Sequence, residues 1–250
     1  KKDLNSQKIK TRYVAQIYGT LARYVDFWPY NVPEFKDTPN IASAAQRLRD
    51  YWGLGQEPIQ DMISLMERNG IIMSEFATDT KKIDAFYQYG EIKDSAYHCV
   101  VLGTEKPSFV RRQFSAAHEL GHIVLHEKFN DLDDASREDF RKREDEANEF
   151  AAAFLLPKAA FLNDIKMCPN KLTRYVELKR KWRVSISAMV VRAYNLEAIN
   201  QNQYQYLMRQ ISKNGWRTEE PLDDYISLTH PKALRQAVNL IILNNVLSGQ

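Results

Sequence analysis

The sequence predicts an α+β fold: mainly helical, with a small three-stranded, largely antiparallel sheet packed on one functional helix and a C-terminal helical part behind it. Three observations carry that prediction. Apolar residues recur at helical spacing through most of the chain, and three short apolar runs between positions 71 and 102 switch to strand-like patterning. The stretch 115–127, SAAHELGHIVLHE, is a helix that is apolar on its back (Ala116, Leu120, Ile123, Val124) and ionisable along one stripe. With 250 residues, 44% of them hydrophobic, the chain can bury one good core, or a core with an appended subdomain.

Taken in order, residues 4–26 place Ile9, Tyr13, Ile17, Leu21, Tyr24 and Val25 at helical spacing, and the proline-broken FWPYNVPEF that follows is an ordered connector. Residues 41–52 form a second amphipathic helix stopped by Gly53 and Gly55. Pro58 in a first turn, followed by Ile59, Met62, Leu65 and Met66, gives a third helix that ends at Asn69-Gly70. Residues 71–76, 83–89 and 97–102 are the expected strands, with Gly90 and Asp94 between the last two. Ser108 is a fitting N-cap for the histidine helix. Residues 128–134 are polar and loop-like; Ser136 then opens a long helix through Phe150 and Phe154, stopped by Pro157. Residues 172–182, 186–194, 204–213 and 231–247 are helical again. The expected division is an N-terminal helix and connector (1–38), a central domain around the histidine helix (39–160) and a C-terminal helical subdomain (161–250).

The net charge of +3 is too mild for a nucleic-acid footprint. Basic clusters such as Arg111-Arg112 and Lys179-Arg180-Lys181 are therefore read as solvated faces, and no DNA contact by these residues is expected. Cys99 and Cys168 give neither a disulfide framework nor a cysteine zinc cluster, a usage that fits a reducing cytoplasm. No run of about 18 apolar residues and no secretory h-region occurs, so neither a membrane helix nor an export signal is expected. The chain opens on Lys1 rather than methionine, which suggests a fragment or a processed product.

The chemistry centres on His118, Glu119 and His122. Four residues advance an α-helix by about 400°, so the two histidines lie about 40° apart, one turn above the other, and can close on one ion. The glutamate directly after the first histidine completes a helical zinc pattern in which that glutamate serves as the base of a metalloprotease. Gly121 in mid-helix costs roughly 1 kcal/mol relative to alanine and makes sense where something approaches closely. A catalytic zinc needs a third protein ligand and an open position for water. Lys128 stands where a metzincin-type third histidine would fall. His126, one turn past His122, cannot converge with both others on one tetrahedral ion from a straight helix, and is read as a residue backing a ligand or packing beside it. On the next helix Glu149 projects away from the apolar stripe of Ala147, Phe150, Ala151 and Phe154, while Glu144 and Glu146 flank the stripe on opposite sides. Periodicity does not choose between those two. Tyr87, Tyr89 and His98 are candidates for stabilising an oxyanion, with packing as the plainer role for each, and His230 is read as a surface or capping histidine.

The combination of RRQFSAAHELGHIVLH with DEANEFAAAFLLP resembles the ImmA/IrrE metallopeptidase family, the DUF955 domain. AQRLRDYWGLGQEPIQDMISLMERNGI and KIDAF are similar to the helices and sheet that usually precede the motif there. LKRKWRVSISAMVVRAYNL and ISKNGWRTEEP resemble its C-terminal helical part. In that family the glutamate directly before Ala-Asn is the third zinc ligand, so the resemblance implies Zn2+ held by His118, His122 and Glu146, with Glu119 activating a zinc-bound water. It implies an endopeptidase acting on a regulatory protein, a repressor of the helix-turn-helix kind. The N-terminal helix and the final THPKALRQAVNLIILNN look most like versions fused behind an XRE-type helix-turn-helix. That likeness implies the alternative: a transcriptional regulator, its DNA-binding module upstream of Lys1, whose fold senses an effector or metal without proteolysis.

Overall fold

The computed structural model describes residues 2–35, 40–76, 84–92, 95–104, 108–126 and 136–244. Along the chain run α1 (Lys2–Leu21), α2 (Ile41–Tyr51), α3 (Met62–Arg68), β1 (Ile72–Phe76), β2 (Ala85–Ile92), β3 (Ser95–Gly103), α4 (Phe109–Leu125), α5 (Arg137–Leu155), α6 (Lys158–Ile165), α7 (Leu172–Trp182), α8 (Ile186–Asn195), α9 (Gln201–Lys213) and α10 (Ala233–Leu243). Short polar side chains fix many of the helix starts, because they satisfy amides that have no partner within the helix. Asn40, Asp61, Ser136 and Ser185 accept from first-turn amides of α2, α3, α5 and α8, and Asn200 opens α9 with a reciprocal capping box to Gln203. Ser108 does precede α4, but its hydroxyl makes no capping bond. The polar stretch 128–134 lies outside the described residues.

Strand β3 is central, with the order β1-β3-β2. β2 pairs antiparallel with β3 as a neighbour in sequence should, whereas β1 joins the other edge parallel, which makes the sheet mixed. Both faces of β3 are covered. Val100 and Leu102 meet Ala116, Ala117 and Leu120 of α4 in the main core, while Cys99 and Val101 pack with Val14 of α1. Gly90 lies inside β2 rather than in the turn: a side chain there would run into the Tyr97 ring of β3.

Two features beyond the helical pattern hold the site's scaffold together. Pro157 ends α5 and also starts α6, a helix the sequence reading did not contain, which sends Phe161 and Ile165 into the core. Arg49, fully buried, donates to the carbonyls of Gly55, Glu57 and Phe154 at 2.8, 2.6 and 2.5 Å, tying α2 and the loop after it to the C-terminal end of α5. The main cluster continues through Trp182, Met189 and Leu207, so α7, α8 and α9 pack onto the core that α4 and α5 build. No helix among the described residues is long and apolar enough to cross a membrane.

Candidate metal centre

The site is built where α4 and α5 come unusually close. A Cβ on Gly121 would stand 3.1 Å from the Ala147 Cα and 3.2 Å from both the Ala147 carbonyl oxygen and the Phe150 ring, so the glycine lets the helices approach. Ala116, Ala117 and Leu120 on one helix and Ala147, Phe150 and Ala151 on the other are buried around this contact. That burial fixes the rotation of both helices and sets His118 and His122 against the acidic side of α5.

The Nε2 atoms of His118 and His122 lie 3.1 Å apart, and the Glu144 carboxylate reaches both, Oε2 at 3.4 Å from His118 and Oε1 at 3.4 Å from His122. Among the described residues these three form a group whose ligand atoms all lie within 4.8 Å of one another. A tetrahedral zinc with ligands at roughly 2.0–2.2 Å separates neighbouring donor atoms by about 3.4 Å, so both spacing and donor types fit that ion. The remaining ring nitrogens are engaged elsewhere. His118 Nδ1 lies 3.0 Å from the Asn148 amide oxygen, and His122 Nδ1 lies 2.9 Å from His126 Nδ1. Partners on Nδ1 leave both Nε2 atoms free to face one ion.

Charge in the centre follows from this arrangement. Burial works against charging His118, but Glu144, Glu119 and Asn148 outweigh it and raise the imidazole pKa above its ordinary value. Hydrogen bonds from His118 and His122 hold the Glu144 carboxyl down to about 2. The pocket between the three side chains therefore favours positive charge. Glu119 is buried beside it, 7% exposed. Burial pushes its pKa up, against the pull of His122 and His118 and of a hydrogen bond from the Tyr87 backbone amide on β2.

Residues 67–194 match the Peptidase_M78 family, described as the IrrE N-terminal-like domain. The chain belongs to this family. The Peptidase_M78 match begins at the end of α3 and closes in α8, so it takes in the sheet, α4, α5 and every residue of the centre, on a metallopeptidase-like fold. No curated protein matches the chain. Among solved structures, a Mycobacterium tuberculosis transcriptional regulator aligns at 19% identity and a TM-score of 0.46, over 61% of this chain and 45% of that one. The chain thus spans under half the length of that structure.

Within this Peptidase_M78 chain the sequence-predicted residues are distributed unevenly. The structure brings His118 and His122 together on one face of α4, and Glu119 lies buried at the edge of that face, against β2. Glu144 and Glu146 do flank the apolar stripe of α5 on opposite sides, and the close contact at Ala147 puts Glu144 at the histidine pair. Glu146, the third ligand implied by the resemblance, is not brought to the pair; its Oε2 lies 3.0 Å from His126 Nε2. The oxyanion candidates are occupied with one another. The Tyr87 hydroxyl lies 2.8 Å from His98 Nδ1, Tyr30 stacks on the His98 ring at 4.1 Å, and the Tyr89 hydroxyl donates to Glu91. His230 Nδ1 sits 2.9 Å from Glu75, which also accepts from Arg112, so this histidine pins the C-terminal segment to β1 and α4. Asn148 is a further residue of the centre, beyond those predicted from the sequence. Asn148, the partner of His118, also borders a cavity of about 1050 Å3 between α4, α5 and α8, walled by Phe114 and Ser115, by Glu149 and Ala152, and by Ala188 and Arg192.

Proposed function

We propose that this chain is a zinc-dependent endopeptidase that cuts a regulatory protein of the helix-turn-helix repressor type. The observation that carries the reading is the convergence of His118, His122 and Glu144, with a buried carboxylate, Glu119, directly after His118 in the chain. His118, His122 and Glu144 would hold the ion; when bound, zinc acidifies water and polarises a scissile carbonyl. Glu119 is the general base: its carboxylate takes the proton of the attacking water and delivers it to the leaving amine as the C–N bond breaks.

The Tyr87 amide orients Glu119, and it belongs to β2, the edge strand that lies against α4. The 1050 Å3 cavity that Asn148 borders is roomier than one side chain needs, and its wall mixes small and apolar residues such as Ser115, Ala152 and Ala188 with charged ones such as Arg111, Glu149 and Arg192. Both features suit a polypeptide laid across the centre. The repressor as substrate class comes from the family likeness.

The test is Glu119→Gln, which keeps the shape of the side chain and removes the base. The variant is expected to retain about one equivalent of zinc and to leave a co-expressed helix-turn-helix repressor uncut, while the unchanged chain cuts it. If cells carrying Glu119→Gln regulate that repressor normally, the peptidase reading fails and sensing without proteolysis takes its place.

A further inference from the structure

We propose that His126 and Glu146 form a hydrogen-bonded arm behind His122, so that Glu146 acts on the metal centre through two imidazoles and not as a ligand. The inference rests on the metal reading above and concerns residues that reading does not use. Helix α4 ends at Leu125, and His126 is its C-cap, with φ −110° and ψ 131°. Its amide still donates to the His122 carbonyl at 3.2 Å, and the backbone turns extended only beyond it. The ring returns over the last turn, with its Nδ1 2.9 Å from His122 Nδ1 and its Nε2 3.0 Å from Glu146 Oε2.

The proton positions in this chain of contacts are determined once His122 presents Nε2 to the centre. A lone pair on Nε2 requires the proton on Nδ1, which donates to His126 Nδ1. That nitrogen must then accept, so the His126 proton sits on Nε2 and is donated to Glu146. Every contact has one donor and one acceptor, and the arm ends on a carboxylate. The side chains of His126 and Glu146 are 11% and 29% exposed, so the two bonds are only partly open to water. His118 is backed differently, by the neutral amide of Asn148. One ligand therefore leans on a neutral acceptor and the other, through His126, on an anion. An acceptor behind an imidazole fixes its ring and tautomer and raises its strength as a ligand. His126 and Glu146 are thus positioning residues, which accounts for a third histidine and a second glutamate that a three-ligand site leaves over.

The test is zinc titration of the full metal-free chain against a competing chelator, with cobalt(II) replacing zinc to report ligand number by its absorption spectrum. Glu146→Gln and His126→Leu are each expected to keep one equivalent and the cobalt spectrum of the unchanged chain while binding about 10–100-fold more weakly. His126→Gln, whose amide can still accept on one side and donate on the other, should recover part of the loss. Combining Glu146→Gln with His126→Leu should cost no more than His126→Leu alone, since the carboxylate acts only through that ring. Glu144→Gln, by contrast, should change the cobalt spectrum. The proposal is overturned if Glu146→Gln changes the spectrum while Glu144→Gln preserves it, if Glu146→Gln leaves the affinity unchanged, or if the two losses simply add. An unchanged chain that takes up no zinc overturns the metal reading itself and the arm with it. Glu146 lies on the surface of α5, so its single variant tests the arm even if His126→Leu does not fold.

Discussion

Replacing Gly121 with alanine sets two known effects against each other at the contact that creates the site. In an isolated helix the change would stabilise by about 1 kcal/mol, because glycine has the poorer helix propensity. Here the added methyl would sit 3.1–3.2 Å from the Ala147 backbone and the Phe150 ring, a few tenths of an ångström inside ordinary contact. Two of those atoms are backbone, so α5 as a whole has to move. Overpacking of this kind costs about 1–3 kcal/mol. The expected net effect is a loss of about 1 kcal/mol, or roughly 2–4 °C in Tm for a chain of this size. Because α5 also carries Glu144 and Asn148, its displacement should weaken zinc binding by several-fold as well. Thermal denaturation in chelator gives the first quantity and zinc titration the second, and Gly121→Val should exceed Gly121→Ala in both. An alanine variant that melts higher than the unchanged chain and binds zinc equally well would refute the close-approach argument.

Two further outcomes follow from other parts of the scaffold. Arg49→Leu leaves the carbonyls of Gly55, Glu57 and Phe154 without their donor in or near the core, and should cost about 3–5 kcal/mol in denaturant unfolding; a loss under about 1 kcal/mol would mean that water replaces the guanidinium. Zinc binding should weaken as pH falls from about 8 to about 6, because protons compete for His118 and its pKa is raised above the ordinary value of about 6.5. The sign follows from linkage, since protonation stabilises only the metal-free form; titrations giving one affinity across that range would contradict it.

What the sequence reveals and what it leaves open divide along the range of the interactions involved. Helix positions are legible because apolar residues at i, i+4 and i+7 and a cap residue such as Ser136 are local signals, although α3 starts after Asp61 rather than at Pro58 and α9 after Asn200 rather than at 204. The pairing of β1 is a long-range matter: nothing within residues 72–76 states whether the strand runs with or against β3, since either pairing buries Ile72 and Met73. Helix α6 is hidden behind Pro157, whose fixed φ serves a helix start as well as a helix stop. The Tyr87, His98 and Tyr30 cluster depends on a connector folding back over the sheet, a contact 68 residues apart in sequence between Tyr30 and His98, and so it has no local signature.

The third carboxylate is the instructive case, because choosing it takes the contact between α4 and α5. Glu144 and Asn148 are four residues apart and share one side of α5, next to the small Ala147 that Gly121 demands. Glu144 faces the two Nε2 atoms, and Asn148 backs His118 from that same flank. Glu146 has no such companion: one turn on from it stands the buried Phe150, and its own side of the helix leads to His126. With the α4–α5 contact known, the pairing of Glu144 with Asn148 on one flank favours Glu144 as the carboxylate that faces the histidines. Reading each glutamate alone against the apolar stripe could not do so, because the stripe fixes which residues face the core and says nothing about which flank faces the histidines.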